Sequence, residues 1–179
     1  MSLDYLTKTM LNEFLDYRNR GFSVIPVKRS KEPLILSWKE FQSRIASEEE
    51  IKQWLATWPD AQLAIITGKV SNLTALDIDI YNGADSTPYN YETTTVKSGS
   101  GGIHLWFKHY PGLRNSHDVI APHVGVKSEG GYIIVPPSKN NVGEYSFIKK
   151  VDELLPFPDQ LIKELALADS TTNNSSLRD

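Results

Sequence analysis

Asp77 and Asp79 stand two residues apart at the end of the apolar run Leu73-Thr74-Ala75-Leu76-Asp77-Ile78-Asp79. Side chains alternate between the two faces of a strand, so this spacing projects both carboxylates to one side. Two like charges kept together on an apolar strand call for a cation between them, and carboxylate oxygens suit a hard divalent ion such as Mg²⁺ or Mn²⁺. The plainer alternative is that both acids reach solvent where the strand ends. A second group is Ser98-Gly99-Ser100-Gly101-Gly102-Ile103-His104. Its glycines allow positive φ and bring amide N–H groups close to an anion, and its hydroxyls add donors. Alternation puts His104 on one face with Trp106, opposite Leu105 and Phe107, from where it can donate to a phosphate. The plainer alternative here is a hairpin connection followed by a structural histidine. The turn is not a Walker loop, because no G-x-x-x-x-G-K-[ST] occurs. A third group, Lys127 to Lys139, joins a glycine turn, an apolar strand and a Pro136-Pro137 exit, and by itself it reads as a hairpin arm. Lys28, Arg29 and Lys31 read as solvated loop charges, and the four tryptophans as core or rim residues.

The elements that must position these residues are legible in outline. Leu3, Leu6, Met10, Phe14 and Tyr17, with Leu11 and Leu15, form a helical stripe that stops at Gly21. Phe22 to Val27 follows as a strand. Ser47 and Glu50 have capping-box spacing at the head of a helix with Ile51, Trp54, Leu55 and Trp58 on its apolar face. Strands are predicted at Leu63–Ile66 and Leu73–Asp79, then, past a polar loop at 81–90, at 93–97, 103–108, 124–127, 131–135 and 145–148. A last helix runs from about Asp159 to Leu167. Strands clustered in the second half predict an α+β fold.

The chain has 179 residues, enough for one domain with a tail. Residues 1–168 read as that domain and residues 169–179, rich in Ser, Thr and Asn, as a disordered linker. Cysteine is absent, which removes disulfides, thiolate metal sites and Cys nucleophiles, and suits a cytoplasmic location. No apolar run is long enough for a membrane span, so no membrane partner is expected.

The order of the motifs carries more than any one of them. Lys31-x-Pro33 and Trp38, Thr67-Gly68, Leu76-Asp77-Ile78-Asp79, Ser100-Gly101-Gly102-x-His104, and Gly130-Gly131-Tyr132 running into Pro136-Pro137-Ser138 occur in sequence. This order resembles the bifunctional DNA primase/polymerase (prim-pol) domain of the archaeo-eukaryotic primase superfamily, found in plasmid, phage and other mobile-element replication proteins. The resemblance spans roughly residues 5 to 150. It implies a two-part core, an α/β unit plus an RRM-like unit, with the active site in the cleft between them. It also implies two-metal nucleotidyl transfer with Mg²⁺ or Mn²⁺, (d)NTP substrates and a single-stranded DNA template. Asp77 and Asp79 match the first, metal-binding motif. His104 matches the histidine that contacts the nucleotide's phosphates, with Ser100, Gly101 and Gly102 beside it. Lys127 and Lys31 are candidates to reach phosphate. Relatives often continue into a helical or helicase-type module after such a linker.

One position departs from the family's pattern. Its third motif carries an aspartate just before the Gly-Gly-Tyr stretch, and here that place falls on Gly125. The loss bears most on the ion that activates the attacking 3′-hydroxyl. Glu129 shares strand parity with Gly125 but lies roughly 13 Å along an extended strand; Asp118 is the other candidate replacement. Two alternatives to a DNA polymerase with primase activity follow: a nucleic-acid- and nucleotide-binding module without catalysis, and a nucleotide-sugar glycosyltransferase with a D-x-D metal site. The glycosyltransferase leaves the Gly-Gly-His and Pro-Pro-Ser motifs without a role.

The formal net charge of -3 conceals a division. Residues 95–150 carry a net +4 and all four histidines, residues 1–94 a net -3 and residues 151–179 a net -4. The motif-bearing half is locally basic, which fits a nucleic-acid partner held with salt-sensitive affinity.

Overall fold

The structure is a computed structural model that describes the backbone of residues 3–175 and the side chains of residues 9–167. Among the described residues three α-helices and two antiparallel sheets make an α+β fold, as the strand clustering predicts. The smaller sheet has the order β1-β2-β8, where β1 is Val24–Val27, β2 is Gln62–Ile66 and β8 is Tyr132–Ile134. The larger has the order β6-β7-β3-β5-β4-β9, from β6 (Ser116–Ala121), β7 (Val124–Lys127), β3 (Thr74–Ile78), β5 (Ile103–Phe107), β4 (Thr95–Lys97) and β9 (Ser146–Lys149).

Alternation along β3 and β5 divides the apolar residues between two cores. Leu76, Ile78, Leu105 and Phe107 share one face with Val124 and Val126, and Leu161 and Leu165 of α3 (Asp159–Ser175) cover it. Ala75 and Trp106 point the other way, into the larger core. That core also takes Phe14 and Tyr17 from α1 (Leu3–Asn19), Ile51 and Leu55 from α2 (Glu48–Thr57), Val24, Ile25 and Val27 from β1, and Leu63, Ala64, Ile65 and Ile66 from β2. Leu3 and Leu6 of the predicted stripe have side chains outside the described residues. No described helix is long and apolar enough to cross a membrane.

The capping box is formed: Ser47 Oγ accepts from the Glu50 amide at 3.2 Å and Glu50 Oε2 from the Ser47 amide at 2.8 Å. Arg44 ties the same glutamate to its guanidinium, and the two together hold the Glu50 carboxyl down at about 2. Ser47→Ala removes an N-cap acceptor and is expected to cost about 1 kcal/mol in chemical denaturation. The Glu50 value is depressed on folding, so its stabilisation is complete above the ordinary glutamate range and is lost as pH falls towards 2.

Three sequence expectations shift. Strand β6 has no signal in the apolar pattern, because Ser-His-Asp-Val-Ile-Ala lies at a sheet edge with its middle exposed and its register broken. Asp118 there has φ 57° and accepts from the His123 amide at 2.6 Å, which closes the β6–β7 turn. Helix α3 runs to Ser175 rather than ending near Leu167; once nucleated, each added residue gains one hydrogen bond. Residues 176–179 of the predicted tail lie outside the described residues. The Pro136-Pro137-Ser138 stretch is a clamp on β2: Ser138 Oγ accepts from the Leu63 amide (2.8 Å) and donates to its carbonyl (3.1 Å), while Tyr17 Oη donates to the Pro136 carbonyl (2.8 Å).

Candidate active site

The strand register builds the site. Asp77 on β3 pairs with His104 on β5 at one side and with Gly125 on β7 at the other, so all three face the smaller sheet. Lys127 pairs with Ala75 and shares that face. From across the cleft come Tyr132, Ile133 and Ile134 of β8 and Lys31 from the loop after β1. Lys31 sits there because the tight turn after β1 folds back, with its own φ at 76° and its carbonyl accepting from Tyr132 Oη at 3.0 Å. The result is a cavity of about 290 Å³ between the sheets, and Lys31, Asp77, His104 and Tyr145 also line a second of about 200 Å³. Asp79, Ser98, Ser100 and Gly102 line the second.

Asp77 is the electrostatic centre. Its Oδ1 lies 3.4 Å from His104 Nε2, and its side chain is about one-third exposed. Burial pushes the carboxyl up; the His104 hydrogen bond, with the charges of His104, Lys127 and Lys31, outweighs burial and holds it below the usual aspartate range. The other ring nitrogen of His104, Nδ1, is buried and has no hydrogen-bond partner among the described residues. Asp79 stands one residue beyond β3, where it caps a short 3₁₀ turn by accepting from the Asn82 amide and side chain. The two carboxylates therefore share a cavity, but only Asp77 stands on the strand itself.

The glycine turn connects β4 to β5, and its amides are largely used within it. Gly101 N–H donates to the Ser98 carbonyl (3.0 Å) and Gly102 N–H to Ser98 Oγ (2.9 Å). Ser98, Ser100 and Gly102 reach the cavity, whereas Gly101 is not among its lining residues. Gly102 has a steric reason: a Cβ there would lie 2.8 Å from the Ile78 carbonyl oxygen, against the strand that carries Asp77. Gly131 is likewise fixed by close approach, since a Cβ would come within 2.4 Å of Asn115 Oδ1. Asn115 uses that oxygen to accept from the Ser128 amide at 2.7 Å, and so holds the β7–β8 turn beside the cavity.

The two acids considered as replacements at the third motif are engaged elsewhere. Glu129 is tied to His109 Nε2 at 3.0 Å and to the Lys69 amide at 2.9 Å, and Asp118 to the β6–β7 turn. Neither lines the cleft around Asp77. Among the described residues no group of three or more His, Asp or Glu side chains is drawn together as a metal site. What the cleft does offer a hard divalent ion is the oxygen pair of Asp77 and Asp79, a donor set that fits Mg²⁺ or Mn²⁺ when phosphate oxygens complete it.

Sequence reasoning missed Tyr145 and Asn115. Tyr145 is almost fully buried, its ring centroid lies 6.0 Å from that of His104, and burial pushes its phenol up to about 12. Nothing in its sequence context separates it from a core tyrosine. Asn115 lies in a polar stretch with no periodicity at all.

No curated protein matches the chain. Over residues 14–160, a span that contains both sheets and every residue of the cleft, the sequence matches the family model described as bifunctional DNA primase/polymerase, N-terminal, and the chain belongs to that family of DNA primase/polymerase-type nucleotidyltransferases.

Proposed function

We propose that this chain is a template-dependent nucleotidyltransferase that extends, and starts, DNA strands on a single-stranded template from (d)NTPs. The observation that carries the reading is the convergence of Asp77, His104, Lys31 and Lys127 on one cleft between two sheets. An anionic carboxylate flanked by donors on both sides is what a metal-bound triphosphate requires: oxygen ligands for the ion, and N–H or ammonium groups for phosphate oxygens. Asp77 and Asp79 would hold the divalent ion, which supplies charge neutralisation to the triphosphate when bound. His104 and Lys31 would orient the phosphates, and the Ser100 hydroxyl, which accepts from Asn140 Nδ2 at 3.0 Å, stands ready to donate to them. Residues 95–150 supply the positive field that a template strand needs.

Primer extension and unprimed synthesis on single-stranded DNA, with Mg²⁺ or Mn²⁺, test the reading. The native chain is expected to make product and the Asp77→Ala/Asp79→Ala chain none. Absence of product from both, with single-strand binding that weakens as salt rises, would instead identify a binding module without turnover, the reading that Gly125 favours.

A further inference from the structure

Thr67-Gly68 belongs to the ordered series of motifs, yet neither residue lines the cavities beside Asp77. Both stand where the chain leaves β2 of the smaller sheet for β3 of the larger. The chain returns from the larger sheet to the smaller between β7 and β8, through Ser128 to Gly131. The two crossings are joined. The Thr67 amide donates to the Gly131 carbonyl at 3.0 Å, and Thr67 Oγ1 donates to the Ser128 carbonyl at 2.7 Å. Glu129 closes the joint: one oxygen, Oε1, accepts from the Lys69 amide at 2.9 Å and from His109 Nε2 at 3.0 Å. His109 follows β5 by two residues, and its side chain is 7% exposed. Its Nδ1 lies 3.3 Å from Ser128 Oγ and 3.4 Å from Thr74 Oγ1. Ser128 and Thr74 are fully buried, with their hydroxyls 3.0 Å apart. Gly68 makes the room. Its φ is 93°, and a Cβ there would lie 2.8 Å from Glu129 Oε2 and 3.1 Å from Glu129 Cα.

The joint acts on the cleft through β8. Gly130, Gly131 and Tyr132 line one wall, and Tyr132 Oη holds the Lys31 carbonyl at 3.0 Å. Lys127, on β7, lines the other wall together with His104. Only Ser128 and Glu129 separate Lys127 from the residues of the facing wall. Asp77 stands three residues beyond Thr74 on β3, roughly 10 Å along the strand, so a small tilt at the joint becomes a displacement at the site. A phosphate chain gripped from both sides needs walls at a fixed separation. We propose that Glu129, held by His109, is a positioning residue: it pins the two crossings together and so fixes the distance between Lys31 on one wall and His104 on the other. The inference rests on the reading of the cleft as an oligophosphate site. It gives Thr67-Gly68 its place, a threonine that ties the turn and a glycine that leaves space for the pinning carboxylate.

The test uses the whole chain, at temperatures where every variant is folded. Glu129→Ala is expected to weaken the binding of inorganic tripolyphosphate in EDTA, measured by calorimetry, by about 10-fold, the worth of one charge-assisted hydrogen bond when only one wall reaches the phosphate. In primer extension the same substitution is expected to raise the KM for dNTP by about 10-fold and to leave kcat within about 2-fold. Glu129→Gln is expected to restore both, because one carbonyl oxygen can accept from the Lys69 amide and from His109 Nε2 as Oε1 does. Ser47→Ala, a loss of stability at the head of α2, is expected to leave both at native values. Native tripolyphosphate affinity in the Glu129→Ala chain overturns the proposal. So does an equal loss in Glu129→Gln, which would make charge rather than position the cause, or an equal loss in Ser47→Ala, which would make lost stability sufficient. Absence of DNA synthesis from the native chain would defeat the polymerase reading instead, while the tripolyphosphate arm, free of metal and turnover, still judges the pin.

Discussion

An Asp77→Asn chain is expected to lose roughly 10³-fold in single-turnover nucleotide incorporation while melting within a few degrees of the native protein. Asparagine keeps the volume, and its amide oxygen still accepts from His104 Nε2, so the β3–β5 pairing loses nothing. What disappears is the negative charge at the point where His104, Lys127 and Lys31 converge. The loss of stability is small because the side chain is about one-third exposed, and the desolvation cost that the amide does not carry offsets part of the lost attraction. Asp79→Asn is expected to lose only about 10-fold, because one turn of backbone already uses its oxygens through Asn82. Equal activity of Asp77→Asn and the native chain would remove Asp77 from the chemistry. The depressed Asp77 value also fixes a sign: folding binds the ionised form more strongly, so its contribution to stability is present above the ordinary aspartate range and is lost as pH falls through the lowered value. The carboxylate stays ionised throughout the neutral range, so no limb of a pH–rate profile near neutrality belongs to it.

The parts of this site that were legible in the sequence are those that strand geometry dictates. The two-residue period of Leu76-Asp77-Ile78 and of Ile103-His104-Leu105 assigns faces without any knowledge of the partner strands, and the register then brings Asp77 and His104 together. The capping box at Ser47 and Glu50 was legible for the same reason: both partners lie within one turn. What depends on tertiary pairing was not. Gly125 could be aligned to a motif, but that it lies beside Asp77 follows from the β3–β7 register, and that His117 lies against it follows from β6, an exposed edge strand with a break in register and no periodic pattern. Glu129 shows the limit of parity arguments. It has the right alternation relative to Gly125, yet the chain turns after Lys127 and delivers the carboxylate to His109 and the Lys69 amide. The glycine turn misled in a different way. Its composition suggests free amides for an anion, whereas Ser98 takes those of Gly101 and Gly102 by its carbonyl and hydroxyl, and Gly102 serves close packing against Ile78.

Trp106→Ala is expected to be the most destabilising single substitution near the site, costing about 3–5 kcal/mol and lowering the melting temperature by roughly 10 °C. Trp106 is 2% exposed on β5, two residues from His104 on the same face, where it packs edge-on against Phe22 and Phe147. Phe22 in turn contacts Tyr17, so one chain of aromatic contacts runs from α1 through the core to β9. Truncation to alanine opens a cavity between the two sheets that backbone hydrogen bonding on both sides of β5 prevents from collapsing. Trp106→Phe is expected to cost far less. It retains an aromatic wall, and it removes an indole N–H that is buried with no hydrogen-bond partner among the described residues, so the polar group lost was contributing a penalty. The comparison separates packing from polarity: similar large losses in both variants, read by urea unfolding, would mean that the indole N–H has a partner. The consequence for the site follows from position. His104 is held by the same strand, and its partner Asp77 by the strand beside it, so a loosened Trp106 slot is expected to reduce nucleotide incorporation at temperatures where the variant is still fully folded. Trp106→Phe, with the slot filled, is expected to keep native rates there.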